Sequence, residues 1–448
     1  MKKIITLLIC ITAGLKSFAQ TEPANQTFSF TVTDAVNYAI AHKDSVVNAG
    51  LDVKSADYRV KEIIGQGLPQ LSGSASFQDY LKIPTTLLPG EIFGQPAGTF
   101  IPVKFGVKYQ SNVGANATQL LFDPSYIVGL QSRKTYKELY VRAYNSSKID
   151  VTAKVTKAYY QVLVANEQIK LLDANIAQLK QQVEQTTAQN KQGFVEKIDV
   201  DRIAVQYNNL VTSRENTLRL LALNYQLLKF QIGMPIEYNL TLKDGLADVK
   251  LEDSVAQTVA DTSFYKNRIE YNLLETSLKL SEFDLKRQKA QFLPTLSANA
   301  SYAISYQNNS FGNLYSTSFP SSYVGLTLNV PIFSGFQRTN RVKQSEITVL
   351  KNRNNLTSVR NGLNLQAAQA KTIYLNSLQS LNNQKRNQEL AREVLRVSKI
   401  KYQQGVGSSI EVTQAQTALE SADNSYVQSL YDALVSRVDL DRAFGNIK

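Results

Sequence analysis

Leu68-Pro69-Gln70-Leu71-Ser72 returns 225 residues later as Leu293-Pro294-Thr295-Leu296-Ser297, and this echo decides the fold. At the same offset Asp57-Tyr58 meets Glu282-Phe283 and Val60-Lys61 meets Leu285-Lys286, so the match extends upstream through helical sequence. Further on, Gln192-Gly193 before Ile198-Asp199-Val200 is matched by Gln404-Gly405 before Ile410-Glu411-Val412, now at an offset of 212. The chain is therefore an internal duplication whose first half holds 13 extra residues between its Pro and Gly signals.

Each Leu-Pro signal leads into segments of period two. Leu296, Ala298, Ala300, Tyr302, Ile304 and Tyr306 alternate with Thr295, Ser297, Asn299, Ser301 and Gln307. Val324, Leu326, Leu328, Val330 and Ile332 repeat the pattern, as do Leu71, Gly73, Ala75 and Phe77, and Val103, Phe105, Val107 and Tyr109. Four strands in two hairpins are predicted, over about 70–82, 102–122, 295–307 and 322–334. The loops at about 82–102 and 308–321, rich in Gly, Pro, Ser, Asn and aromatics, read as exposed tips.

The remainder is helical, with apolar stripes such as Val155, Tyr159, Val162, Ile169, Leu172, Ile176, Leu179 and Val183 at coiled-coil spacing. Helices are expected over about 31–66, 125–189, 194–232, 262–291, 336–402 and 409–444. A linker near Met234 to Leu246 joins the repeats. The second helix would be roughly 95 Å long at about 1.5 Å per residue, which no compact domain needs.

The amino terminus has a secretory pattern: Met1-Lys2-Lys3, an apolar run from Ile4 to Leu15, then Ser17-Phe18-Ala19. Its core of about a dozen residues is shorter than the roughly 20 that span a bilayer. Residues 1–19 are thus expected to be a cleaved signal peptide, the first repeat to cover 20–246 and the second 247–448. Cys10, the single cysteine, leaves with the signal, which excludes disulfides, thiolate metal sites and a lipid-bearing cysteine. The formal charge of +12 falls to +9 without Lys2, Lys3 and Lys16. The remaining bases are scattered, which suits solvated helix faces and not nucleic acid.

No Walker loop, HExxH, zinc spacing or nucleophile elbow is present, and His42 has no second histidine. It reads as a surface residue. The carboxylates form no acid/base pair, so neither an enzyme nor a cofactor is expected.

The alternating strands could face a partner sheet in a soluble sandwich or hydrocarbon in a membrane barrel. The signal, the strand lengths and the Ser/Thr/Asn/Gln faces favour the barrel, with Tyr80, Phe105, Tyr109, Tyr306 and Tyr323 as interfacial girdles. Open edges are not tolerated in lipid, so copies must join; closure takes at least about eight strands, which permits a dimer, a trimer or more. A structural or adhesive coiled-coil protein is the competing class. A porin would devote far more of its chain to strands.

The duplicated Leu-Pro signals, Tyr402-Gln403-Gln404-Gly405 with Glu411-Val412, its partner Gly193 with Asp199-Val200, and the strand exit Val330-Pro331-Ile332-Phe333-Ser334-Gly335 resemble the TolC-like outer-membrane efflux family. In the first half that exit degrades to Leu121-Phe122-Asp123-Pro124. The resemblance implies a mostly α protein with a membrane β-barrel: a homotrimer whose four strands per protomer complete a 12-stranded barrel below which a coiled-coil helical barrel crosses the periplasm. It implies an outer-membrane channel of a tripartite efflux pump, working with a periplasmic adaptor (membrane fusion) protein and an inner-membrane transporter, or the conduit of type I protein secretion. It places Gly193, Gly405 and Gly407 at the helical tip where adaptors dock, and Glu411, Gln414, Asp199 and Tyr402 at the pore constriction. Tyr402 is expected to bond to Asp199 as a latch. Where the family pattern has a second acid, this chain has Gln414, so a less acidic ring and weaker cation selectivity are implied.

Overall fold

The computed structural model describes residues 27–246, 251 and 264–447. The signal peptide and the first residues of the helix expected at 262–291 lie outside them.

In chain order the elements are β1 (Thr27–Phe30), α1 (Val32–His42), α2 (Asp44–Gly65), β2 (Gln70–Asp79), β3 (Thr85–Pro89), β4 (Phe100–Lys104), β5 (Tyr109–Phe122), α3 (Pro124–Lys191) and α4 (Lys197–Ile232). They continue with β6 (Asn239–Leu242), α5 (Ile269–Ala290), β7 (Thr295–Asn308), β8 (Ser318–Asn329), α6 (Gln337–Gln403) and α7 (Ser409–Phe444). The chain divides into two compact units, one of Met1–Asn48, Asn145–Tyr265 and Leu363–Lys448, the other of Ala49–Tyr144 and Lys266–Gly362.

The second unit holds the antiparallel sheet, in the order β2-β5-β7-β8. Its register sets like residues abreast. Leu71, Ala117, Ala300 and Val324 form one row across the four strands, and Ala75, Val113, Ile304 and Pro320 another. The intervening rows are polar, as in Ser72, Asn116, Ser301 and Tyr323, or Gln78, Gln110 and Gln307. One face is thus mainly apolar, with Asp79, Ser111 and Gln119 as exceptions, and the other mainly wet. The apolar face is uncovered within the chain: Val324 is 85% exposed, Leu71 80% and Leu326 70%.

Aromatic residues gather at one end of that face, where Phe311 packs edge-on against Phe77 and Tyr109 at 5.9 and 5.6 Å, and Tyr306 meets Tyr315 at 5.1 Å. From Leu296 to Tyr306 the strand runs about 34 Å at ~3.4 Å per residue, or about 25 Å of height at a 45° tilt. That equals the apolar band of an outer-membrane barrel. Of the girdle residues expected from sequence, Tyr109 and Tyr306 lie in this cluster. Tyr323 belongs to the polar face, Tyr80 bonds back to Gln78 at 3.0 Å, and Phe105 lies off the sheet.

Four element boundaries depart from the sequence expectation, the first being the helix foreseen over 262–291, which begins at Ile269 after a 3-10 turn over Phe264–Asn267 and an extended Arg268. The strand foreseen over 102–122 is two pieces, because Phe100–Lys104 pairs with Thr85–Pro89 and Gly106 (φ 132°) turns the chain before Tyr109. The strand foreseen over 322–334 ends at Asn329; Pro331 offers no donor, and Gly335 and Phe336 both take left-handed backbone. The helix foreseen over 31–66 breaks at Lys43, whose backbone is extended. Its ammonium reaches the Phe230 carbonyl at 2.8 Å and lies over that ring at 3.9 Å.

In the first unit β1 pairs in parallel with β6. Asp244 ties the pair down, accepting from the Val32 amide at 2.7 Å and lying 3.0 Å from the buried Tyr159 hydroxyl. α1 opens with a capping box in which Thr31 and Asp34 exchange bonds. α4 ends at Gly233 with φ 72°, where an added Cβ would sit 2.8 Å from the His42 oxygen and 3.0 Å from the Lys43 Cα. Gly233→Ala is expected to cost about 2–4 kcal/mol, combining left-handed strain with a clash against backbone. The apparent melting temperature in detergent measures it, against Gly129→Ala inside α3, where nothing lies within 4 Å and a gain of up to about 1 kcal/mol is expected.

Candidate functional site

Two helical hairpins end in matched turns, α3 into α4 and α6 into α7. In the first, the Phe194 amide donates to the Gln189 carbonyl at 3.0 Å and the Gly193 amide to Asn190 at 2.9 Å. In the second, Val406 donates to Lys401 at 3.0 Å and Gly405 to Tyr402 at 3.1 Å. Both are Schellman closures, which need left-handed backbone at the residue after the helix, and φ is 79° at Gly193 and 73° at Gly405. Gly407 is needed for a different reason: its Cβ would stand 2.9 Å from the Lys401 Cβ and 3.0 Å from the Tyr402 nitrogen. Phe194 and Val406 project from the turns, 81% and 78% exposed.

The next helices begin beside these turns. Ser408 caps α7 by accepting from the Glu411 amide at 3.2 Å, whereas Glu196 precedes α4 without a side-chain cap. Asp199, on the first turn of α4, accepts a short bond from the Ser409 hydroxyl and pairs with Arg202 at 3.5 Å. Gln206 extends the link, donating to the Thr413 carbonyl at 3.2 Å and to the Thr417 hydroxyl at 3.0 Å. Glu411 and Gln414 are exposed and have no side-chain partner among the described residues.

The expected Tyr402–Asp199 bond is not made within the chain. The Tyr402 ring packs against Leu395, Val412, Ala415 and Leu419, and its hydroxyl is buried without a partner. Burial, with the Asp199 charge nearby, pushes that hydroxyl up from its ordinary value. Ser409 holds the carboxylate instead, because its short side chain starts one residue from the cap and points across to α4.

A polar ladder behind the turns was not foreseen from sequence. α7 turns two stripes inward: Val412, Ala415 and Leu419, buried against α6, and Thr413, Gln416, Glu420 and Asp423 at steps of three and four, of which Gln416 and Asp423 are buried and Thr413 and Glu420 half-buried. Asp423, 6% exposed, accepts from Asn175 at 2.8 Å and Gln388 at 2.7 Å, with Arg392 at 3.8 Å. Gln416 is 1% exposed with neither amide atom partnered. Cavities of about 220 and 210 Å³ flank the ladder, the first lined by Leu172, Asn175, Asn209, Glu420 and Asp423, the second by glutamines with Lys399 and Tyr402. The readable signal was four polar residues in succession at coiled-coil core spacing.

Burial, reinforced by the Asp423 charge, raises the Glu420 carboxyl above its ordinary 4.5. A raised acid favours the folded packing in its protonated form. That stability is fully present below 4.5 and is lost as pH rises through the raised value. Glu420→Gln is expected to flatten this decline, which melting temperatures across the acidic range would register. A slope equal to wild type would refute it.

Uncovered apolar strands, a wet opposite face and long hairpins with paired tip turns define the class: a mostly helical protein of paired long hairpins with a four-stranded sheet whose apolar face is uncovered among the described residues. A family model described as outer membrane efflux protein matches residues 35–222 and 274–446, and the chain belongs to that family. Its place is the outer membrane, with a periplasmic helical extension, as a channel of the efflux type. It is 23% identical over 345 residues to the outer membrane protein TolC of Vibrio cholerae, covering 75% of this chain and 77% of that protein. To TolC of Escherichia coli it is 21% identical over 481 residues, covering 100% and 87%. The fold is shared with the Campylobacter jejuni CmeC outer membrane channel, at a TM-score of 0.73, 15% identity and coverage of 92% and 85%, and with CusC, at 0.72, 17%, 96% and 96%.

Proposed function

We propose that three copies join their sheets edge to edge into one 12-stranded barrel, and that the assembly is a passive, non-enzymatic exit duct gated at its helical tip. The register of the four strands carries this reading. It builds one continuous apolar face and leaves β2 and β8 as open edges, and in lipid every backbone group on those edges needs a partner. Among the described residues no helix is long and apolar enough to cross a membrane. Gly193, Gly405 and Gly407 shape the tip at which a periplasmic adaptor docks, leading from an inner-membrane transporter. Glu411 and Gln414 line the constriction, and the Asp199–Ser409 bond holds it closed, with Tyr402 packed behind.

Two relatives from Pseudomonas putida are called efflux pump outer membrane proteins, TtgC and ArpC, each 22% identical over 343 residues. A second reading, export of proteins, is favoured by AprF of Pseudomonas aeruginosa, an alkaline protease secretion protein 22% identical over 298 residues. Deleting the gene and comparing drug sensitivity with the secreted proteome separates the two.

The purified protein is expected to need detergent and to have about three times the protomer mass by light scattering. In a planar bilayer it should pass little current until Ser409→Ala, which removes the bond to Asp199, loosens the tip. A water-soluble monomer would remove the reading, and a wide-open wild-type pore would remove its gate.

A further inference from the structure

The charge of this chain is concentrated on one helix. α6 carries thirteen Lys and Arg against three Glu, a surplus of ten, where the whole chain has a surplus of twelve. The wet face of the sheet cannot offset it, because the four strands hold a single charged side chain, Asp79, on the other face. Nor can the tip: residues 189–202 and 399–411 together hold five bases and four acids.

The bases of α6 are also free to act. Only Arg353, Arg392 and Arg396 form ion pairs among the described residues, with Glu282, Asp423 and Glu393. The acids of α7 are largely engaged, Asp439 by Lys157, Asp441 by Arg437, and Asp423 by its buried amides. α6 buries one narrow stripe, Val349, Leu363, Ala367, Tyr374, Gln388 and Leu395. At about 100° per residue from the nearest of these, Arg360 and Lys385 lie roughly 60° to one side, Lys343 about 120°, Lys351 and Arg386 at the back, and Lys401 about 120° to the other side. Whichever part of the uncovered arc turns toward a common axis carries basic side chains.

We propose that this basic surface of α6 makes the conduit select for anions, and that its cargo is anionic. The inference rests on the oligomeric duct proposed above. Each copy repeats the same surplus around the axis, and helical walls of low dielectric focus the field into the water between them. Burying all those bases against another copy would need an acid for each, and with bases in excess by twelve over the chain the surplus stays hydrated. The field reaches about 8 Å at physiological salt, so the preference weakens as salt is raised.

The test is the reversal potential of the full-length protein in a planar bilayer across a KCl gradient, in wild type and in Ser409→Ala, whose substitution is charge-neutral. Chloride is expected to permeate about two- to fivefold better than potassium at low salt. Combining Lys343→Gln, Lys351→Gln, Arg360→Gln, Lys385→Gln and Arg386→Gln should bring the ratio to about one. The exposed Lys54→Gln, Lys134→Gln and Lys180→Gln together should leave it unchanged. A cation-preferring pore, or a five-residue variant with the wild-type ratio, overturns the proposal while leaving the duct standing. No conductance in either background, with no oligomer in detergent, removes the duct and the inference together.

Discussion

Ala75→Arg or Val324→Arg is expected to abolish the proposed oligomer in the outer-membrane fraction, whereas Ser74→Arg, one residue away from Ala75, leaves it intact. Ala75 stands in the apolar row with Val113, Ile304 and Pro320, and Val324 in the row with Leu71, Ala117 and Ala300. Ser74 lies on the opposite, wet face, beside Gly114. An arginine on the lipid side of a barrel costs about 2–4 kcal/mol near the midplane and little on the lumen side. In the proposed trimer three copies would incur the cost together, so a single substitution would act with triple weight on assembly. Unboiled gel electrophoresis of membrane fractions reads the outcome. Equal tolerance of the three changes would mean that the apolar face meets something other than hydrocarbon.

The second large effect belongs to Asp423. Asp423→Ala leaves the buried amides of Asn175 and Gln388, 7% and 5% exposed, without acceptors. Each stranded donor costs about 1–3 kcal/mol, so a loss of about 2–5 kcal/mol is expected. Asp423→Asn, which keeps one acceptor oxygen, should lose less. Replacing all three residues by leucine should recover much of the stability, since an apolar seam has no orphaned groups. Thermal unfolding in detergent gives the ranking. A triple variant as unstable as Asp423→Ala would show that the ladder contributes packing and not hydrogen bonding.

The limits of sequence reading show in particular residues. Gly193 and Gly405 were legible as left-handed helix ends because only glycine takes that backbone without strain, a property of the residue itself. Tyr402 was expected to bond Asp199, and within the chain it packs instead, because two residues at suitable spacing are equally compatible with a bond and with a packed ring. The choice fell to Ser409 once α7 started where Ser408 could cap it. The Asp423 ladder was missed because polar residues on a helix ordinarily face water, and its four members become core only when α3, α4 and α6 close over them.

The four long helices, the period-two strands and the tip glycines were determined by the sequence alone, since each expresses a local preference with its own period or a unique residue. The parallel pairing of β1 with β6, the separate β3–β4 hairpin, the partner of Asp199 and the abreast register of four strands were decided only in three dimensions. Pairing and burial are relations between segments far apart in the chain. Their energies depend on which groups meet, and nothing in either segment taken singly fixes that.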